Sequence, residues 1–275
     1  MIQVVDRVPT YPNRIKLVYS DGTSEFVTWE RADEPVVEGT PINKELFDSI
    51  ANDVGLMANR TVYVSGAGSD SLGEGTSTNP YATITKALSV LPKNLNGFDA
   101  TISIVTGTYR ENVVISGFYG GNVIISGTAG SAITLNSISV LNGSTVHISS
   151  NVSMGVSNSN GTAGIVVQQA RLLSFAANVF VTAAQAIGVY VARNGFALFG
   201  RLTVDNSSSI AVQAASGATV YIDTLSGSNN TGIAIQSGNG SRVAFNTKPI
   251  TAAATFLTMY GGRIYTGSQS DTPNY

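Results

Sequence analysis

Apolar side chains return at intervals of 23 to 27 residues through the second half of this 275-residue chain. Ile115, Ile138, Ile165, Val189, Val212 and Ile235 mark the beat, with spacings of 23, 27, 24, 23 and 23. Five residues after these anchors stand Gly120, Gly143, Ala170, Asn194, Gly217 and Gly240. Eight and ten residues after them come paired apolar positions: Val123/Ile125, Val146/Ile148, Leu173/Phe175, Ala197/Phe199, Val220/Ile222 and Val243/Phe245. A short apolar strand, a turn and a second apolar strand, repeated at a near-fixed period, predict a β-solenoid. Side chains alternate along a strand, so the anchors and the paired positions point inward and stack between rungs. The residue between each pair then faces outward: Ile124, His147, Ser174, Leu198, Tyr221 and Ala244. Ile124, Leu198 and Tyr221 form a partly apolar outer stripe. It reads either as ordinary surface apolar residues or as a contact between parallel solenoids.

The rest of the chain divides around this repeat. Residues 1–59 read as a small α+β module. Ile15, Leu17 and Tyr19 alternate with more polar positions, Asp21-Gly22 supplies a hairpin turn, and Glu25–Trp29 return. Thr40-Pro41 offers an N-cap and a first-turn proline for a helix carrying Leu46, Phe47, Ile50 and Val54. About sixty residues is marginal for independent stability, so docking on other chains is expected. Residues 60–100 hold a strand, a Gly/Ser-rich loop and a helix with Ile84, Ala87, Leu88 and Leu91 on one face, stopped by Pro92. Such a helix would cover the open end of a solenoid. Residues 101–250 are the solenoid proper, of about seven rungs. Residues 251–275 carry Phe256, Leu257, Tyr260 and Tyr265 and read as a closing segment.

Composition narrows the class. Charged residues are 12% of the chain, about half the usual share, and 43% is hydrophobic, which excludes a disordered chain. A net charge of −2 gives no pull toward nucleic acid or an anionic membrane. Cysteine is absent, so disulfide and thiolate chemistry are excluded. The first residues lack the apolar run of a secretory signal, and no stretch approaches the ~18 apolar residues of a membrane helix. The expectation is a soluble chain made in the cytoplasm. Charge is also unevenly spread: residues 112–275 hold only Asp205, Asp223 and Asp271 as acids.

Val62-Tyr63-Val64, Gly68-Ser69-Asp70, Asn79-Pro80-Tyr81-Ala82-Thr83-Ile84 and Lys86-Ala87-Leu88 together resemble the opening motif of pectin-lyase-like right-handed parallel β-helices. Gly107-Thr108-Tyr109-Arg110-Glu111-Asn112-Val113 looks like the first-rung signature of that family. The resemblance covers residues 61–250 and implies the fold, whereas the family spans lyases, hydrolases and inert adhesins. A second resemblance covers residues 6–50. Asp6–Arg14, then Arg31-Ala32-Asp33-Glu34-Pro35 and Gly39-Thr40-Pro41-Ile42-Asn43, are similar to N-terminal segments of tail-fibre and other appendage proteins from phages of Gram-positive bacteria. This implies a virion protein, a homotrimer with the N-terminal part attached to other virion proteins and the β-helix projecting outward. Baseplate or capsid decoration protein and polysaccharide-degrading tailspike are the alternatives.

Candidate chemistry is sparse. A glycoside hydrolase uses two carboxyl groups about 5–10 Å apart; a β-helix lyase uses a carboxylate cluster for Ca²⁺ and a basic residue. Asp205 lies 16 residues after its anchor and Asp223 lies 11 after its own, so the two do not share a column. Arg110 and Glu111 read as an ion pair or a cap at the start of the solenoid. The Gly66–Gly75 loop lacks the Gly-Lys-Ser/Thr ending of a P-loop and the acids of an EF-hand. His147 is the single histidine, too few for a zinc site in one chain and expected as a surface imidazole. Tyr190, Arg193 and Arg242 are candidate contacts to a bacterial surface glycan, through aromatic faces and positive charge. The sequence therefore predicts a non-enzymatic protein with no cofactor and no metal.

Overall fold

The computed structural model describes residues 14–18, 23–28, 54–127, 131–158, 163–183, 186–247 and 250–266. The chain forms two compact units, Met1–Asp53 and Val54–Tyr275. In the first, Arg14–Val18 pairs antiparallel with Ser24–Thr28, setting Ile15 opposite Val27 and Leu17 opposite Glu25. This is the hairpin expected from alternation. Its Asp21-Gly22 turn, and the helix expected to carry Leu46, Phe47 and Ile50, lie outside the described residues.

The second unit is a parallel β-solenoid of about seven turns. Each full turn lays down three strand faces. On the first, Ala100, Val123, Val146 and Leu172 stack in register, followed by Ala197, Val220 and Val243. On the second, Ile133, Met154, Val179, Leu202 and Leu225 stack. On the third, Val113, Ile138, Ile165, Val189, Val212 and Ile235 stack. All of these side chains are buried in one continuous core. Each fully buried Val, Leu or Ile contributes about 1.5–3 kcal/mol over its exposed state, so a rung is held by its neighbours rather than by itself.

The glycine and asparagine beat has a backbone cause. The turn from the third face to the first uses two successive left-handed residues: Asn142-Gly143, Arg193-Asn194, Ser216-Gly217, Asn239-Gly240 and Tyr260-Gly261. That conformation costs an ordinary L-residue roughly 1–2 kcal/mol, least for Gly and Asn. The rung at Gln169 is different: Gln169 is the one left-handed residue of its turn, and Leu172 follows Ile165 by seven positions instead of the eight from Ile138 to Val146.

This one-residue shortening overturns part of the sequence reading. Leu173 and Phe175 were expected inward and Ser174 outward. Instead Leu172 and Ser174 take the inward positions, Leu173 joins the outward column between His147 and Leu198 although it is still buried at 7% exposure, and Phe175 is 63% exposed. A shift of one position turns every side chain of a strand to its other face. Ile115 likewise stacks on Val140, not Ile138, and Val113 takes the anchor position. Here the turn is two residues longer, with left-handed Gly117 and Gly120 inside it.

The stacking also reaches beyond the visible repeat at both ends. Arg60–Val64 pairs with Asp99–Ile104, so Val62 lies on Ile102 across an inserted loop and helix. After the repeat fades, Ile250–Met259 stacks on the third face, where Phe256 follows Ile235, and Arg263–Thr266 stacks on the first.

The inserted helix, Ile84–Ser89, buries Ile84, Ala87 and Leu88 against the first strands. Three side chains hold its N-terminus. Thr83 is the N-cap and accepts from the Lys86 amide at 3.0 Å. Asp70 accepts from the Ala82 and Thr83 amides and from the Thr83 hydroxyl at 2.7 Å. Glu111 accepts from the Ile84 and Thr85 amides, each at 2.9 Å. Glu111 is thus a cap at the start of the solenoid, one of the two roles read from the sequence. Its carboxylate meets amide donors that a helix start otherwise leaves without partners.

Polar ladders run between rungs. The most buried one centres on Asn230, 6% exposed, which accepts from the Ser207 amide at 2.9 Å and donates to the carbonyls of Val204 and Thr251 at 2.9 and 3.2 Å. Gln213 donates to Gln236 at 2.6 Å, and Thr203 and Ser226 share a hydrogen bond at 2.8 Å.

Candidate ligand cleft

The rung containing Phe175 carries a bulge. Ser174 is in register with Phe199 and Asn178 with Arg201, so residues 175–177 face Gly200 alone. Ala177 turns into the core, whereas Phe175 and Ala176 are exposed. Gly200 is the residue that permits this: a Cβ there would collide with the Phe175 carbonyl oxygen. The bulge leaves Phe175 exposed, where it lines a concavity with residues of the following rungs.

In the rungs after Phe175 the outward column runs Leu198, Tyr221, Ala244, Tyr265. Rungs lie about 4.8 Å apart, so Tyr221 and Tyr265 are separated by roughly 9.6 Å along the stack. Ala244 leaves the space between them empty. Large rings at the rim and small residues, Gly200 and Ala244, at the floor produce a concavity of about 400 Å³. The Tyr221 ring is braced: Phe196 packs on it at 5.8 Å between centroids, and the Arg171 guanidinium lies 5.2 Å from the centre of Phe196.

The far wall is polar. Asn246 Nδ2 donates to Asp223 Oδ1 at 2.8 Å across two rungs. Among the described residues, Asp223 Oδ2 and Asn246 Oδ1 have no hydrogen-bond partner in the protein, and both lie in exposed residues at the cleft. Asp223 is the one carboxylate among the lining residues; no lysine or arginine is among them, but Arg263 Nη1 donates to the hydroxyl of the lining Tyr265 at 3.5 Å. The cleft thus offers apolar ring faces and an edge of hydrogen-bond acceptors.

The residues singled out from the sequence are placed as follows. Ile124, Leu198 and Tyr221 do share one outward column, interrupted by His147 and Leu173; Tyr221 is 46% exposed, Ile124 and Leu198 half-buried. His147, expected as a surface imidazole, is half-buried in that column. Tyr190 is on the third face between Val166 and Gln213. Arg193 is in the left-handed turn that follows, and Arg242 begins a first-face strand two rungs further on, in register with Arg263. Tyr190, Arg193 and Arg242 therefore share no strand column. Asp205 binds the amide and hydroxyl of Ser228 at 2.7 and 3.0 Å, a link between rungs, and stands in a different column from Asp223. Among the described residues no three His, Asp or Glu side chains cluster, and no helix is long and apolar enough to cross a membrane.

Sequence reasoning missed the cleft because it placed Phe175 in the core. The signal that was present is Gly200, standing directly after core Phe199 where the other rungs carry a side chain. Compared with known proteins, the chain matches no family model, no curated protein and no solved structure.

Proposed function

We propose that this chain is a structural, non-enzymatic phage virion protein: a homotrimeric tail fibre or receptor-binding appendage that attaches to the bacterial surface. The likeness of residues 6–50 to appendage N-termini supports the virion assignment, with that unit joining other virion proteins. The solenoid supports the role of a stiff projecting element, because its backbone hydrogen bonds and side-chain ladders repeat along one axis. The outward position of Ile124, away from the cleft, supports packing between parallel copies. The observation that carries the non-enzymatic reading is the chemistry of the cleft wall. Its carboxylate, Asp223, is bonded to an amide, whereas a glycosidase places two carboxyl groups across the scissile bond.

Immunogold labelling of intact virions tests the assignment. Label at the tail tip supports it; label on the capsid shell or baseplate alone sinks the fibre reading. Light scattering of the purified chain should give about three times 28.5 kDa, and a monomeric mass refutes the trimer. Release of reducing or unsaturated ends from host wall polysaccharide would make the protein a depolymerase.

A further inference from the structure

We propose that the cleft at Phe175 is a binding subsite for an uncharged pyranose residue of a surface glycan. The inference rests on the attachment role above and gives that role a location and a ligand chemistry.

The argument starts from what the two walls complement. A pyranose ring has an apolar face of C–H groups and an equator of hydroxyls. The exposed Phe175 and Tyr221 rings and the Tyr265 ring supply flat apolar surface with little rotamer freedom to lose. Tyr221 is held in place before any ligand arrives, by Phe196 and, behind it, Arg171, which lowers the ordering cost of binding. Asp223 Oδ2 and Asn246 Oδ1 are acceptors in two planar groups linked by the Asn246-to-Asp223 hydrogen bond. Adjacent hydroxyl donors of one sugar ring match that pair.

Charge decides among glycans. A phosphate- or carboxylate-bearing polymer would bring its negative charge against Asp223, whereas the cation at the cleft, Arg263, is bonded to the Tyr265 hydroxyl two rungs away. A flat protein surface, including a second copy of this chain, would leave the hollow over Gly200 and Ala244 unfilled. The concavity fits an inserted ring. The site differs from the Tyr190, Arg193 and Arg242 set expected from the sequence, which the fold spreads over separate columns.

The test uses the full chain against immobilised neutral oligosaccharides (glucan, galactan, mannan and N-acetylglucosamine oligomers), with polygalacturonate and a glycerol-phosphate polymer as anionic counterparts. Binding to at least one neutral member is expected, with no retention on the anionic pair. Tyr221→Ala and Phe175→Ala should each weaken binding roughly tenfold or more, and Tyr221→Phe should retain it. Retention only on the anionic polymers, no retention on any neutral member, or neutral binding indifferent to both alanine variants overturns the subsite. Light scattering on Tyr221→Ala closes the remaining route: a drop to a smaller oligomer assigns the cleft to a contact between copies and refutes the proposal. The two readings fail separately. Whole-cell adsorption without neutral-sugar binding removes the subsite and leaves the attachment role. Neutral-sugar binding by a chain that never labels virions does the reverse.

Discussion

Replacing Asn230 by alanine should destabilise the solenoid far more than the loss of one polar side chain suggests. The side chain is nearly buried and bonds three backbone groups: the Ser207 amide, the Val204 carbonyl and the Thr251 carbonyl. The two carbonyls keep a second lone pair, so each loss costs about 0.5–1.5 kcal/mol. The Ser207 amide has no such reserve, and Ser207 is 1% exposed; stranding a buried donor costs about 1–3 kcal/mol. The expected total is about 2–6 kcal/mol. Asn230→Asp should be no better, because it turns the donor edge into an acceptor facing two carbonyls. Solenoids unfold in segments, so the midpoint of urea denaturation should be read together with amide hydrogen exchange at Ser207. A loss of 2 kcal/mol corresponds to a roughly 30-fold fall in protection at that amide. The exposed neighbour Thr231 is the control, and Thr231→Ala should stay within about 0.5 kcal/mol of the parent chain. If Asn230→Ala also stays within that margin, with Ser207 still protected, the hub does not hold the rungs together.

Two further predictions concern the helix that covers the first turn. Glu111→Ala removes a carboxylate bonded to two helix amides and should cost about 2 kcal/mol. Thermal unfolding should then fall by roughly 4–8 °C, with Glu111→Gln in between; an unchanged midpoint for the alanine variant refutes the capping role. Asp70 adds a pH dependence. Burial pushes its carboxyl up, but the Thr83 hydroxyl, the Thr83 and Ala82 amides and the Lys86 charge together hold it below the ordinary value. A depressed carboxylate stabilises above its unfolded pKa of about 3.9 and loses that contribution as pH falls through the folded value. The gap in urea midpoint between the parent chain and Asp70→Asn should therefore be full near pH 6 and close below about pH 4. A gap that is constant across this range would contradict the linkage.

The solenoid was legible because stacking forces each rung to repeat its neighbour's apolar positions. That constraint shows in Val123, Val146, Val220 and Val243, which occupy equivalent sites. It failed where turn length changes, since the count of residues is then no guide to which face a side chain takes. The short Gln169 turn moved Leu173 outward and, with the bulge behind it, freed Phe175. Long insertions hide equivalence altogether: Val62 stacks on Ile102, 40 positions further along the chain. The cap was legible in part, through Ile84, Ala87 and Leu88, yet Glu111 reaches its amides from 26 residues away, and no local pattern announces such a bond. The cleft depends on three coincidences across rungs, namely a bulge, Gly200 and Ala244, and none is visible within a single repeat.

The bulge opposite Gly200 also bears on how the solenoid would carry force. Hydrogen bonds between stacked strands point along the stacking axis, so a pull along that axis loads the joints between rungs one after another, in series. Within one joint the three faces share the load in parallel. Strength in such an arrangement is that of its weakest joint, and register is broken both where residues 175–177 meet a single residue and between Gly227 and Ile233 on the third face. A rigid ring seated between Phe175 and Tyr221 would bridge the first of these joints and the one beyond it, acting as a splint where the register is broken.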